Sequence, residues 1–433
     1  MTFLSLTVAY AQRVNLSVAI VAMTDNSTGN PNFPTVGWDS AKKGTILSSY
    51  FWGYIIMQVP AGQLARRLGP KYLLCGSTMI CGILTILSPI FALHFNWLGF
   101  CFTRVLQGLS QGFICPSINT HMAKWAPPLE RSRIFSFVFC GSQFGTVLTL
   151  FVAGLLAASP GGWPSIFYVT GCSSVLWSVV WYLIGFDSPA SHSHISDEEK
   201  NYIEKSLIDS SPESKTMRTP WKDVVTSVPL WALLLTQCGQ NWGFWTLLTL
   251  MPTYMSKILH FDIASNGFLS SLPYFCTWIL TIVFSWASDY INAKQFVSLS
   301  VARKMWNTLA HWGGALALLI LALTNPGVVM AVMLLTIAVG INAGTYMGYL
   351  TNSLDLAPNF AGLLMGITNG FSNITSIIGP IVAGVIVYDE EDVSLWKIVF
   401  GLSSLIFFLG NLIFIVFGTA EVQHWNQPKS MNS

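Results

Sequence analysis

Two arginines stand where a charged group is costly. The stretch FLSLTVAYAQRVNLSVAIVAM, Phe3 to Met23, is apolar almost throughout and long enough to cross a bilayer, with Arg13 at its centre. A second apolar stretch, 97–119, carries Arg104 near its beginning. A guanidinium keeps its charge, and at the bilayer centre it costs roughly 2.5–3.5 kcal/mol on insertion scales. It therefore needs a partner. All 19 acidic residues fall in loops or at the ends of apolar stretches, so neither arginine has a carboxylate of the chain at its own depth. The simplest partner is an anion from outside, a carboxylate or phosphate held bidentately by two guanidiniums facing one cavity. The alternatives are backbone carbonyls, snorkelling to an interface, or cation–π contact with neighbouring aromatics.

Uncharged polar residues surround these positions. SSYFWGYIIMQ supplies Tyr54 and Gln58, RVLQGLSQG supplies Gln107 and Gln111, and TQCGQNWGFW supplies Gln237, Gln240 and Asn241. Asn342, Asn369 and Asn373 add to them. Such groups can orient a ligand or coordinate sodium through oxygen, although helix–helix hydrogen bonding is the commoner role of any single one. Gly108 and Gly112 form a GxxxG pair suited to close helix packing, and His94, His121 and His311 read as structural or interfacial.

Several classes of chemistry are excluded. No GxSxG, HExxH, GxxxxGK[ST] or GxGxxG arrangement occurs, so no catalytic residues are assigned and the chain is not read as an enzyme or a primary pump. The 8 cysteines all lie in apolar segments without a CxxC pair. They read as small core residues, with neither disulfides nor a metal site expected. No basic run points to nucleic acid, and the only cofactor-like species expected is a transported sodium ion. Asn26, in NST, is a glycosylation candidate, whereas Asn15 and Asn373 match the same pattern inside apolar stretches and are set aside.

The elements that must position these residues follow from composition. With 52% apolar and 9% charged residues, against about 25% charged in soluble domains, the chain is a polytopic membrane protein in contact with lipid. Stretches of about 20 apolar residues predict twelve spans, at 1–23, 44–65, 72–94, 97–119, 134–157, 165–186, 228–250, 267–288, 305–323, 328–350, 362–387 and 395–418. The first is read as a span rather than a signal peptide, because a basic leading region is missing and Arg13 interrupts it. A cytosolic tail before it is then not expected. Of the 21 Lys and Arg, fifteen fall in loops on the side of the termini and four on the other, which places both termini in the cytoplasm.

The polar stretch 187–227 divides the chain. It gives an N-terminal six-helix half (1–186), a cytoplasmic linker (187–227), a C-terminal half (228–418) and a tail (419–433). Within the linker, Ser196 with Glu199 three residues on signals a capped surface helix. GQLARRLGPK (62–71) is matched by SWASDYINAK (285–294), and the Ala-Pro of WAPPLERSR by that of LAPNFAG. Similar offsets at corresponding places predict a duplicated six-helix unit, the parallel-repeat plan of alternating-access carriers.

The segments RVNLSVAIVAM, YFWGYIIMQVPAGQLARRLG, RVLQGLSQG, KWAPPLERSR, NWGFWTLLTLMPTYM, NGFLSSLPY, LDLAPNFAGLLMGITN and AEVQHW together resemble the anion-cotransporter family of the major facilitator superfamily. That family comprises sialin, the vesicular glutamate transporters and the type I sodium–phosphate cotransporters. The similarity runs through all twelve spans and is closest to sialin and the inorganic phosphate cotransporters. The resemblance implies an all-α, twelve-helix carrier for organic anions or phosphate, with substrate-binding arginines at Arg13 and Arg104 and a pocket tyrosine at Tyr54. Departures accompany it. Proton-coupled relatives carry Glu where this chain has Gln111, and the vesicular glutamate transporters have His at the position of Leu47 and Arg at that of Gln240. An acidic residue is also expected where Arg66 stands, although Asp289 keeps it in the second half.

The expectation is a secondary active transporter of a small anion, coupled to sodium as co-transported cation, with Arg13, Arg104, Tyr54, Gln111 and Asn241 binding substrate. A plasma-membrane location is favoured over a lysosomal or vesicular one. The alternatives are a proton-coupled exporter of acidic sugars or amino acids, an anion channel, and a non-transporting membrane receptor or scaffold.

Overall fold

Each expected span is met by helix. The computed structural model describes residues 1–24, 33–127, 131–192, 195–209 and 220–426, and is all-helical over them. The glycosylation candidate Asn26 lies outside the described residues. The spans correspond to α1 (Thr2–Thr24), α2 (Ser40–Leu68), α3 (Pro70–His94), α4 (Asn96–Gln111) with α5 (Ile114–Trp125), α6 (Arg131–Ala158) and α7 (Gly162–Ile184). The surface helix of the polar stretch is α8 (Asp197–Asp209), followed by the short α9 (Trp221–Val225). Then come α10 (Val228–Lys257), α11 (Ile263–Ala293), α12 (Leu299–Leu323), α13 (Val328–Gly340) with α14 (Tyr349–Leu356), α15 (Ala361–Ile386) and α16 (Val393–Phe417). Ser196 accepts from the Glu199 amide at 3.2 Å, the predicted cap of α8.

Two spans are broken. The fourth stops at Gly112 and restarts at Ile114, and the tenth passes through a 3-10 turn, Ile341–Tyr346, before α14. Irregular backbone at membrane depth persists only where its polar groups find partners in the protein. In the tenth span Arg303 of α12 supplies one, donating from Nη1 to the Met347 carbonyl at 2.9 Å while its Nε holds Asp355 of α14 at 2.7 Å.

The chain forms two compact units: Met1–Trp38 with Thr45–Thr216 and Asp262–Phe268, and Asp39–Gly44 with Met217–Phe261 and Leu269–Ser433. In the first, α1 packs on α6 and α7, and α3 on α4 and α7. Its core includes Leu6, Leu74, Ile118, and the rings of Trp177 and Trp181 stacked at 5.5 Å. In the second, α10 packs on α15 and α16, and α12 on α16, around Leu230, Tyr349, Leu356 and Phe414. Large apolar side chains such as Leu183, Trp286 and Leu323 remain exposed, as suits helices whose outer solvent is lipid.

A further pair of matched segments appears in the helix starts. Asp39-Ser-Ala-Lys-Lys-Gly44 opens α2 and Asp262-Ile-Ala-Ser-Asn-Gly267 opens α11, at the offset that relates segments 62–71 and 285–294. Each Asp caps its helix: Asp39 accepts from the Lys42 amide at 2.8 Å, and Asp262 from those of Ala264 and Ser265 at 3.1 Å. These hydrogen bonds, first those from the side chains of Lys42 and Ser265, hold both carboxyls below the usual aspartate range. Each Gly lets a neighbouring backbone approach. A Cβ at Gly44 would lie 2.5 Å from the Pro380 carbonyl oxygen, and one at Gly267 would lie 2.6 Å from the Gly154 Cα. Within the second unit Lys43 also grips Glu390 through both carboxylate oxygens, at 2.8 and 2.7 Å.

Candidate functional site: a tyrosine-caged arginine cluster

Tyr10 and Arg13 lie one turn apart on α1, and Tyr50 and Tyr54 one turn apart on α2, so each pair shares a helix face. The two faces meet. Cζ of Arg13 stands 4.8 Å from the ring centroid of Tyr10, 5.0 Å from that of Tyr50 and 4.7 Å from that of Tyr54. Three π faces stabilise a cation out of water without neutralising it. Arg13 as a residue is partly exposed, unlike Arg104.

The close approach of α2 and α4 depends on Gly108, where a Cβ would collide with the Tyr50 carbonyl oxygen. The GxxxG pair therefore serves packing, as its spacing suggested. Through this approach Gln111 comes within reach of Tyr50. Nε of Arg13 donates to the Tyr50 hydroxyl at 3.2 Å, and that hydroxyl donates to Gln111 Oε1. The Gln111 amide nitrogen then donates to the Ala9 carbonyl at 3.1 Å and to Gln12 Oε1 at 3.0 Å. A carboxylate at position 111 could both titrate and pair with an arginine; the amide does neither.

Arg104 has a different environment. It is 2% exposed, and its guanidinium donates to the Gln12 carbonyl at 3.1 Å, the Arg13 carbonyl at 3.2 Å and Gln107 Oε1 at 2.9 Å. Gln107 in turn donates to Thr85 and Ser88 of α3, at 3.3 and 3.1 Å. Backbone carbonyls, one of the alternatives weighed from the sequence, thus occupy most of Arg104. Its position braces the α1 backbone at the residue that carries the caged guanidinium. Two buried donors in this cluster, Arg104 Nε and Gln12 Nε2, have no partner. The one unpartnered acceptor on this part of α1, Asn15 Oδ1, belongs to an amide whose nitrogen donates to Thr170 of α7.

The sequence-predicted residues are therefore distributed. Arg13, Tyr54, Gln111 and Arg104 come together in the first unit. Asn241 lies on α10 in the second, where it donates to Ser372 of α15 at 3.0 Å. Tyr10, Tyr50 and Gln12 belong to the cluster and were not singled out from the sequence. The i, i+3 spacing of Tyr10 with Arg13 and the i, i+4 spacing of Tyr50 with Tyr54 were the available signals. No Asp or Glu occurs in residues 1–24 or 40–129, so the cluster's two guanidiniums, those of Arg13 and Arg104, lie in segments without acid. Chemically, this arrangement can receive an anion. It contains no nucleophile–base pair and no cluster of metal-ligating residues among the described residues.

The profile of the Major Facilitator Superfamily matches residues 2–369. A protein of Drosophila ananassae named "Putative inorganic phosphate cotransporter" is 38% identical over 99% of this chain and 93% of its own. Sialin of Homo sapiens is 35% identical over 98% of this chain and 89% of its own. The crystal structure of a D-xylose-proton symporter superposes with a TM-score of 0.71, at 15% identity, over 98% of this chain and 99% of that one, a likeness of fold. Caged arginine, twelve-span helical architecture and these similarities lead to one assignment: the chain belongs to the anion-cotransporter family of the major facilitator superfamily, a family of multi-pass membrane transporters.

Proposed function

We propose that this chain is a secondary active carrier that moves inorganic phosphate or a small organic carboxylate by alternating access, coupled to sodium. The observation that carries the proposal is the caged Arg13 in a cluster whose unpartnered polar atoms are donors. The cage of rings keeps a cation in the cluster without adding a carboxylate, and bidentate binding by a guanidinium suits both carboxylate and phosphate. Tyr54 and Gln111 shape the receiving site and Arg104 positions it. The relative named as an inorganic phosphate cotransporter supports phosphate as one such anion. Sodium is the coupling cation in this reading because position 111 holds an amide and the acidic residues stay at span ends.

Transport into proteoliposomes tests it. Radiolabelled phosphate and sialic acid are offered with an inward sodium gradient at clamped potential. Saturable accumulation of one of them, lost in Arg13→Ala, is the expected result. Equal accumulation by a correctly folded Arg13→Ala protein refutes the binding role. Both termini are placed in the cytoplasm and the plasma membrane is the favoured location. A tag after Ser433 is then reached by antibody only after permeabilisation, and its labelling on intact cells overturns the orientation.

A further inference from the structure

The second unit contains a buried polar seam that the anion site does not use. Asn307 and His311 lie one turn apart on α12, and both are fully buried. The 341–346 turn faces them with Asn342, which is 6% exposed, and α16 with Asn411 and Phe407. Gly314 continues the same α12 stripe, and a Cβ there would lie 3.5 Å from Asn342 Nδ2 and 3.6 Å from the Phe407 ring. The Phe407 ring also packs against His311, with centroids 5.6 Å apart. Asn307, His311 and Asn342 therefore share one seam between α12, the turn and α16.

Hydrogen bonding fixes which atoms remain. His311 Nδ1 is 3.2 Å from the Asn307 carbonyl oxygen, which can only accept. The ring proton therefore sits on Nδ1, and Nε2 presents a bare lone pair away from its own helix. The Asn342 amide nitrogen donates to the Ala338 carbonyl, so its Oδ1 is the outward atom. The Asn307 amide nitrogen donates to Asn411 Oδ1 at 2.9 Å. His311 Nε2, Asn307 Oδ1 and Asn342 Oδ1 have no hydrogen-bond partner. All three are acceptors, and a buried acceptor without a donor or cation costs about 1–3 kcal/mol.

We propose that Asn307, His311 and Asn342 form the monovalent-cation site of this carrier, receiving the coupling cation in the second unit. This rests on the reading of the chain as a cation-coupled anion carrier. The ligands are neutral, which suits a monovalent ion; divalent cations are typically held by carboxylates. Two cations fit the lone pairs. Sodium sits between the amide oxygens beside Nε2, or a proton binds Nε2 and the new N–H donates to an amide oxygen. No charged side chain competes at the seam. The elements packed on α12 there include α13, α14, α16 and the 341–346 turn, and α11 reaches it through Phe284 on Trp306, at 5.2 Å between ring centroids. The titratable group facing His311 is Tyr349, at 6.1 Å between ring centroids. Tyr346 is exposed, Lys397 lies nearly three turns from Phe407 on α16, and Arg303 with Asp355 are paired two turns before His311.

The test uses the purified full chain with His311→Gln and Asn342→Ala, so that one variant suffices if the other does not fold. Thermal unfolding is followed in sodium chloride against choline chloride at equal ionic strength, and in choline between pH 7.5 and 5.5. The unmutated protein is expected to be stabilised by one of the two cations, through preferential binding to the folded state, and the variants to lose that shift. Sodium dependence identifies sodium as the cargo, and stabilisation at low pH without sodium identifies the proton. In proteoliposomes the variants are expected to keep phosphate counterflow, which needs no gradient, within about twofold, while gradient-driven accumulation falls by about tenfold or more. Indifference of the unmutated protein to both cations overturns the site and leaves the seam to an ordered water. So does a shift that survives in a folded variant, or counterflow lost together with accumulation. Absent phosphate counterflow in the unmutated protein counts against phosphate as the anion, and the unfolding comparison still decides the site.

Discussion

The polar cluster around the arginines and the seam around His311 are built from similar material and are left short of opposite things. Beside the arginines, hydroxyl and amide groups are linked into a chain from Arg13 through Tyr50 and Gln111 to Gln12, and the atoms without partners there are the donors Arg104 Nε and Gln12 Nε2. Beside His311 the atoms without partners are one imidazole and two amide lone pairs. A donor surplus attracts negative charge and an acceptor surplus attracts positive charge. Each is costly at low dielectric, because the alternative partner, water, is scarce there. Polarity of a span therefore says little about ligand sign. What counts is which end of each dipole is already satisfied.

The largest effect on the contrast between the two regions is expected at Arg13. Arg13→Ala should lower saturable anion uptake by about 100-fold, the upper end of what a charge-assisted contact contributes, with surface expression retained. Arg13→Lys keeps a point charge but loses the fork, so weak transport with a raised KM is the expected outcome. Initial rates over a substrate series check both.

Gln111→Glu places a charged acceptor in the donor-rich cluster. Its deprotonated carboxylate would compete with the substrate anion for the guanidiniums, and protonation would remove the competition. Uptake by this variant should therefore fall as pH rises, and a pH–rate profile matching that of the unmutated protein would contradict the arrangement described.

Arg104→Met separates bracing from binding. The side chain's hydrogen bonds go to the α1 backbone and Gln107, and its guanidinium lies 5.3 Å from the Tyr50 ring centroid, so the variant should lower the thermal midpoint more than Arg13→Met does. Loss of a buried, hydrogen-bonded charge from this network corresponds to about 1.5–3 kcal/mol. Thermal unfolding of the two variants side by side gives the answer.

The smallest effects concern the matched helix starts, where the two units should respond alike. Asp39→Ala and Asp262→Ala each remove a cap that typically stabilises a helix by about 1 kcal/mol. Both carboxyls are held below their ordinary value, so the contribution is complete above the ordinary aspartate range and is lost as pH falls through the depressed one. Unfolding midpoints at neutral and acidic pH should converge between each variant and the parent.

Much of the architecture was legible before any coordinates. Hydropathy located all twelve spans, because in lipid each apolar stretch has to satisfy its backbone within itself and so becomes a helix. The breaks at Gly112 and at residues 341–346 were not legible. A window of about 20 residues averages across them, and their polar groups are satisfied by partners elsewhere, such as Arg303. Of the cluster, Arg13 was evident from its charge and depth alone. Tyr50 is not distinguishable in the sequence from its neighbour Tyr54, since both share a face and only the crossing at Gly108 shows that both flank the arginine.

The sequence by itself determined that two charges without acids of their own cross a bilayer in a duplicated helical chain. Composition and spacing carry that directly, since the cost of a buried charge depends on depth, and depth on position along an apolar stretch. Only the tertiary structure decided the division of labour between the arginines. Arg104 is fixed by carbonyls of α1 some ninety residues away in the chain, while Arg13 is caged by rings from two helices and stays partly accessible. It also decided that His311 turns a bare lone pair into a buried seam. Those outcomes depend on which carbonyl or amide a side chain meets across a helix interface, and that is a property of packing.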